Sequence, residues 1–203
     1  QNNLANLVAE LTGADSVPQL LCSEQFVNVL QSVNDIGKDI LNALGEKAPE
    51  TWDDFARICQ EATKDTDGDG KVDQYGFACG MNTSDIGAMQ ILNAYYYSAL
   101  WQNGGQVYND DLKSVSFADE AGKEAVTWLK GLTSYMNEDF MSLSWSDAFS
   151  NVFGAGKAAF GITRSSQTDG TTFAETYPDL NWNFVTSLKN KDFGTFGATD
   201  CLT

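Results

Sequence analysis

Asp65-Thr66-Asp67-Gly68-Asp69-Gly70-Lys71-Val72-Asp73 places four carboxylates at short spacing around two glycines. Such a run can turn its acids inward on one tight loop, and a hard divalent cation relieves their repulsion. In an EF-hand-type loop the ligands come from positions 1, 3, 5, 7 and 9, with a glycine at 6 and a bidentate glutamate at 12. Asp65, Asp67 and Asp69 fill positions 1, 3 and 5, Gly70 fills 6, the Lys71 carbonyl fills 7 and Asp73 fills 9. The twelfth position is Gly76, so the loop spanning residues 65–76 supplies an incomplete shell. The expectation is a structural Ca²⁺ that pins a helix end to the following strand. The alternative is a solvated acidic turn.

The rest of the composition narrows the chemistry. The chain has 203 residues, 12 basic and 28 acidic side chains, a net charge of −16 and no histidine. A surplus of acids disfavours nucleic-acid phosphates and anionic lipid as partners. Without histidine, histidine-dependent triads and most zinc sites are excluded. At 42% apolar and 20% charged, the composition is that of a soluble globular protein with room for one sizeable domain or lobe. No apolar stretch approaches the length of a membrane helix, and Gln1–Gly13 lacks the basic start of a signal peptide. Cys22, Cys59, Cys79 and Cys201 show no C-x-x-C spacing. A bridge between Cys59 and Cys79 and a pair of buried free thiols are both open.

These residues must be positioned by elements that the periodicity predicts. Leu4, Leu7, Val8 and Leu11 form one helical face, closed by Gly13, and Ile36, Ile40, Leu41 and Leu44 form another, closed by Gly45. Gln19 to Val33 has no clean period. Thr51 is the expected N-cap of a helix burying Trp52, Phe55, Ile58, Cys59 and Ala62. A short strand over 75–79 and a long helix over 84–102, stopped by Asn103-Gly104-Gly105, come next. Asp119 is expected to cap a helix with Ala125, Val126, Leu129 and Leu132 facing inward. A further helix over 145–153 precedes strands over 158–163, 182–186 and 193–198. Helices interleaved with short strands predict an α/β fold.

With Pro49-Glu50-Thr51-Trp52-Asp53-Asp54-Phe55 entering the aspartate loop and Tyr75-Gly76-Phe77 leaving it, the chain resembles the extracellular solute-binding proteins of ABC importers, in the maltodextrin-binding-like group. Four later blocks keep the family's order: residues 103–111, the helix over 117–132, residues 153–162, and Phe196-Gly197-Ala198. The resemblance implies a lobe of the two-lobe, periplasmic-binding-protein type II-like fold. Residues 38–203 are then most of the second lobe, and residues 1–37 a partial first-lobe or crossover segment. The chain looks like a fragment of that fold.

The resemblance also implies non-catalytic binding of a sugar or oligosaccharide and delivery to an importer permease. A monomer that is extracellular, anchored at the cell surface or periplasmic follows from it. The expected ligand contacts are Tyr96 and Tyr97, from the run Tyr95-Tyr96-Tyr97 near Trp101, with Trp145, Arg164, Ser165, Ser166 and Asp200. Aromatic rings would stack on sugar faces, and Arg164 with its serines would meet hydroxyls or a carboxylate. A carboxylate-dependent carbohydrate-active enzyme and a calcium-stabilised interaction module are the alternatives.

Overall fold

The computed structural model describes residues 32–82, 91–164, 171–185 and 188–195. Strand β1 (Ser32–Gly37) leads directly into helix α1 (Lys38–Leu44), which Gly45 closes in the left-handed conformation at φ 73°. Helix α2 (Trp52–Ala62) starts at a full capping box. The Thr51 hydroxyl accepts from the Asp54 amide, while the Asp54 carboxylate accepts from the Thr51 amide. Trp52, Phe55, Ile58, Cys59 and Ala62 are all buried, as their spacing predicts.

Strand β2 (Tyr75–Ala78) follows the aspartate loop. A π-helical stretch (Leu92–Tyr97) then runs into helix α3 (Ser98–Gln102). Helix α4 (Glu120–Gly131) continues as a 3₁₀ turn (Leu132–Tyr135). Helix α5 (Trp145–Ala148) passes into a second π-helical stretch (Phe149–Phe153) before strand β3 (Ala158–Arg164). Helix α6 (Thr171–Thr176) and strand β4 (Trp182–Val185) complete the described elements.

The four strands form one mixed sheet in the order β2-β3-β1-β4. β2 and β3 run parallel, with Phe77 opposite Phe160, while β1 is antiparallel to both β3 and β4. Strands β2 and β3 are packed on both faces, which explains their nearly unbroken apolar runs. Phe77 enters a large core with α2 and α4, where Trp52 stacks on Trp128 at 4.2 Å and Phe55 lies 4.6 Å from Phe160 between ring centroids. Ala78, its neighbour, faces a second core of Phe149, Val152, Phe153, Ala158 and Phe173.

Four expectations need correction. Ile36 belongs to β1, whose backbone is held by neighbours on both sides, a pairing no local period reveals. Val126 is 52% exposed; Ala125 takes the inward position, and the next residue on a helix points about 100° away. Asp119 occupies the N-cap of α4 without a side-chain cap bond. Phe193 makes only an isolated bridge to Lys189, so the described part of 193–198 is not a strand. Of the two alternatives left open for Cys59 and Cys79, the structure has the buried free thiols. Helix α6 carries no period that the sequence exposes. The predicted Leu4–Leu11 helix, residues 84–90, Cys22 and Cys201 lie outside the described residues.

Candidate functional site

Because β2 and β3 are parallel and in register, their C-terminal ends emerge at one edge of the sheet. That edge is where open α/β sheets take ligands. Arg164 ends β3 there, opposite Ser32 of β1. Beyond β2, the Cys79 amide donates to Asn137 Oδ1 at 2.8 Å. The amides of Met81 and Asn82 then donate to the carbonyls of Phe140 and Leu143, at 2.7 and 3.0 Å. Gly80 lies so close to the start of α5 that a Cβ would stand 2.9 Å from Trp145 Cα. A side chain at 80 would push α5 off the strand end, so glycine is what lets that helix start there.

Ser144 caps α5, accepting from the Asp147 amide at 3.1 Å and donating to the Asp147 carboxylate at 2.6 Å. The exposed hydroxyl of Ser146 and the carboxylate of Asp147 are thus placed beside the strand ends. Trp145 itself is 6% exposed and belongs to the core, with Nε1 buried. Its ring is packed rather than presented. Tyr95 is likewise buried, and burial holds its phenol well above the usual range. Burial also pushes the Cys79 thiol up to about 12. Ser165, Ser166 and Asp200, and the Arg164 side chain, lie outside the described residues.

Tyr96 and Tyr97 do not join Trp145. Tyr96 is half-buried and donates its hydroxyl to the Phe117 carbonyl at 2.6 Å, a tie to the chain entering α4. Tyr97 turns to a different surface, a groove of about 600 Å³ lined also by Trp101, Gln106, Val107, Tyr108 and Leu112. Tyr108 and Leu112 were not legible as candidates. The hairpin that carries them depends on a bridge between Tyr108 and Val115 and on Asn109–Ser114 contacts. The only local signal is the Asn103-Gly104-Gly105 turn before it, with Gly104 at φ 75°.

In the aspartate loop, Gly68 and Gly70 adopt φ 81° and 90°, and carboxyl oxygens of Asp65, Asp67 and Asp69 lie within 4.8 Å of one another. Asp65 accepts from the amides of Gly68 and Gly70, at 2.7 and 2.8 Å. Those bonds, Gly70 foremost, hold its carboxyl below the ordinary range. Asp73 is turned to Thr66, accepting from its hydroxyl at 2.7 Å and its amide at 2.8 Å, so it stands outside the acidic trio. The missing twelfth carboxylate has a packing cause. Gly76 lies against the backbone of α2, where a Cβ would run into the Cys59 carbonyl and stand 2.7 Å from its carbon.

A family model described as bacterial extracellular solute-binding protein matches residues 37–199. No curated protein sequence matches the chain. Among solved structures, the fold is shared with an ABC transporter solute-binding protein from Agrobacterium radiobacter K84 in complex with ribitol. The TM-score is 0.65 at 19% identity, covering 83% of this chain and 41% of that one. A cyclic α-maltosyl-1,6-maltose binding protein from Arthrobacter globiformis gives 0.59 at 18% identity, covering 81% and 38%. An ABC substrate-binding protein from Listeria monocytogenes in complex with cycloalternan gives 0.57 at 18%, covering 85% and 44%. The chain therefore spans about two fifths of the length of these structures. The fold is a partial periplasmic-binding-protein type II architecture, and the chain belongs to the bacterial extracellular solute-binding proteins.

Proposed function

We propose that this chain is most of the second lobe of a sugar or oligosaccharide receptor that serves an ABC importer. The observation that carries the reading is the family match over residues 37–199 on a sheet whose parallel strand ends meet the start of α5. The neighbouring structures bind a sugar alcohol or oligosaccharides, which supports a polyhydroxylated ligand here. In this reading the strand-end edge supplies hydrogen bonds from Arg164, Ser165, Ser166 and Ser146, with Asp200 on the hinge side. Trp145 supports that surface from below. The first lobe would close over the ligand, and the closed form would engage the permease at an extracellular, surface-anchored or periplasmic location.

Binding without catalysis is the favoured chemistry. A glycosidase acid needs a carboxyl raised toward neutrality. The perturbed carboxyls among the described residues, those of Glu46, Asp54, Asp65, Asp73 and Glu124, are instead all held low. Calcium is proposed as a staple between α2 and β2, held by Asp65, Asp67 and Asp69 with the Lys71 carbonyl. Water, or Asp73 after release from Thr66, would complete the shell. The geometry of the acidic trio supports this assignment.

The reading is tested by titrating a panel of neutral and acidic oligosaccharides against the two-lobe receptor while following tryptophan fluorescence and free reducing ends. A saturable fluorescence change with no sugar released is expected. Release of reducing ends would replace the receptor reading with the enzyme one.

A further inference from the structure

We propose, resting on the receptor reading above, that Tyr95 is a positioning residue for the sugar site at the strand-end edge: its hydroxyl holds the end of β2 and the start of α5 in fixed relation. Tyr95 itself is 3% exposed and does not reach the ligand. It lies in the π-helical stretch Leu92–Tyr97. Such stretches are rare, and they are frequent at functional sites. The Tyr95 ring stands edge-on to Phe77 of β2, 5.8 Å between centroids, and its hydroxyl end reaches past that strand to Cys79 and Gly80.

Three groups surround the hydroxyl: the Cys79 thiol, the Gly80 amide and the indole N–H of Trp145. A phenol has one proton to donate and lone pairs to accept with. The Gly80 and Trp145 N–H groups are donors and the sulfur is a weak acceptor, so the set matches what the oxygen can do. A phenylalanine would fill the same core volume without burying a hydroxyl, so packing alone gives no reason for a tyrosine here. What the hydroxyl adds is one atom that meets both the backbone at the end of β2 and the first side chain of α5.

Those two elements border the proposed ligand surface. Gly80 leads into Met81 and Asn82, and α5 opens on Trp145 followed by Ser146 and Asp147. A Cβ at Gly80 would stand 2.6 Å from the Ser144 carbonyl carbon, so the strand end and the helix start are in direct backbone contact and a shift of one moves the other. From its other side the same strand end is held by the buried Asn137, which accepts from the Cys79 amide at 2.8 Å. Without the Tyr95 hydroxyl, the Gly80 and Trp145 N–H groups lose a shared acceptor inside the core, and the backbone shifts to recover partners. A binding constellation works only within about 0.5 Å of its productive geometry, so the shift weakens sugar binding and not merely the fold.

The test compares Tyr95→Phe with Ile58→Val, which thins the same core from α2 and is not among the groups around the hydroxyl. Both variants are made in the two-lobe receptor and titrated by calorimetry with maltotriose, cellotriose, ribitol and trigalacturonate. For a saccharide that binds the parent protein, Tyr95→Phe should raise Kd about tenfold, and Ile58→Val should leave it unchanged. In ¹⁵N-labelled protein the Trp145 indole and Gly80 amide protons should move upfield in Tyr95→Phe and stay in place in Ile58→Val, a signature that loss of stability alone does not produce. An unchanged Kd in Tyr95→Phe, equal weakening by both variants, or unmoved Trp145 and Gly80 signals would each overturn the positioning role and leave the receptor reading standing. If none of the four binds the parent protein, the receptor reading fails and this role fails with it.

Discussion

Replacing Gly76 by glutamate would restore the twelfth ligand of the aspartate loop on paper, and it should instead damage the protein. Gly76 sits in β2 against α2, with its amide donating to Thr63 Oγ1 at 3.1 Å and Thr63 in turn donating to the Cys59 carbonyl at 2.7 Å. A Cβ there meets three backbone atoms of Cys59, including its carbonyl carbon at 2.7 Å. Backbone at a helix end cannot rotate away as a side chain can, so α2 and β2 must separate. Overpacking of this kind costs about 3 kcal/mol or more, or roughly 6–12 °C in Tm for a domain of this size. Because the clash arises at Cβ, Gly76→Ala should lose nearly as much as Gly76→Glu. Urea denaturation with and without millimolar Ca²⁺ measures both variants. A Gly76→Glu protein with unchanged midpoint and tighter calcium binding would refute the reasoning.

Three other perturbations follow from contacts already described. Gln102→Met removes the acceptor of buried Trp52 Nε1, at 2.7 Å, and the donor to the Gly194 carbonyl, at 2.8 Å. Denaturation should show a loss of about 2–4 kcal/mol, and a change within experimental error would mean that the bonds do not tie residues 188–195 to the core. Ser144→Ala removes the cap of α5 and should cost about 1 kcal/mol, read as a lower Tm. Acid titration tests the loop: the Asp65 and Asp73 carboxyls are held low, by the glycine amides and by Thr66 respectively. Their stabilisation is present above the ordinary aspartate value of 3.8 and is lost as pH falls through the lower folded values. Asp65→Asn should therefore flatten the acid limb of the stability curve, and an unaltered limb would contradict the assignment.

What the sequence made legible was what is local. The Thr51 capping box, the buried face of α2, and the apolar runs of β2 and β3 depend on neighbours within a turn or on an unbroken run of a few residues. β1 was hidden because its stability comes from β3 and β4, which are distant in sequence. Val126 misled because two adjacent apolar residues on α4 both fit an inward pattern, and only packing chooses Ala125. The candidate site was partly legible: the tyrosine run was recognisable as aromatic surface. The division of labour among Tyr95, Tyr96 and Tyr97 required the helix to be placed against the sheet. Tyr108 and Leu112 could not have been found, since they reach Tyr97 only through the hairpin.

The central claim is that this lobe helps close a receptor on a sugar, and thermal unfolding of the two-lobe protein against an oligosaccharide panel tests it most directly. A ligand present at a hundred times its Kd stabilises the folded state by about 2.7 kcal/mol, so at least one saccharide should raise Tm by several degrees. That increment should persist in the presence of a chelator, and a baseline lowered by the chelator would be the signature of the proposed calcium. A panel of neutral and acidic saccharides that leaves Tm unchanged, with and without chelator, would contradict the account.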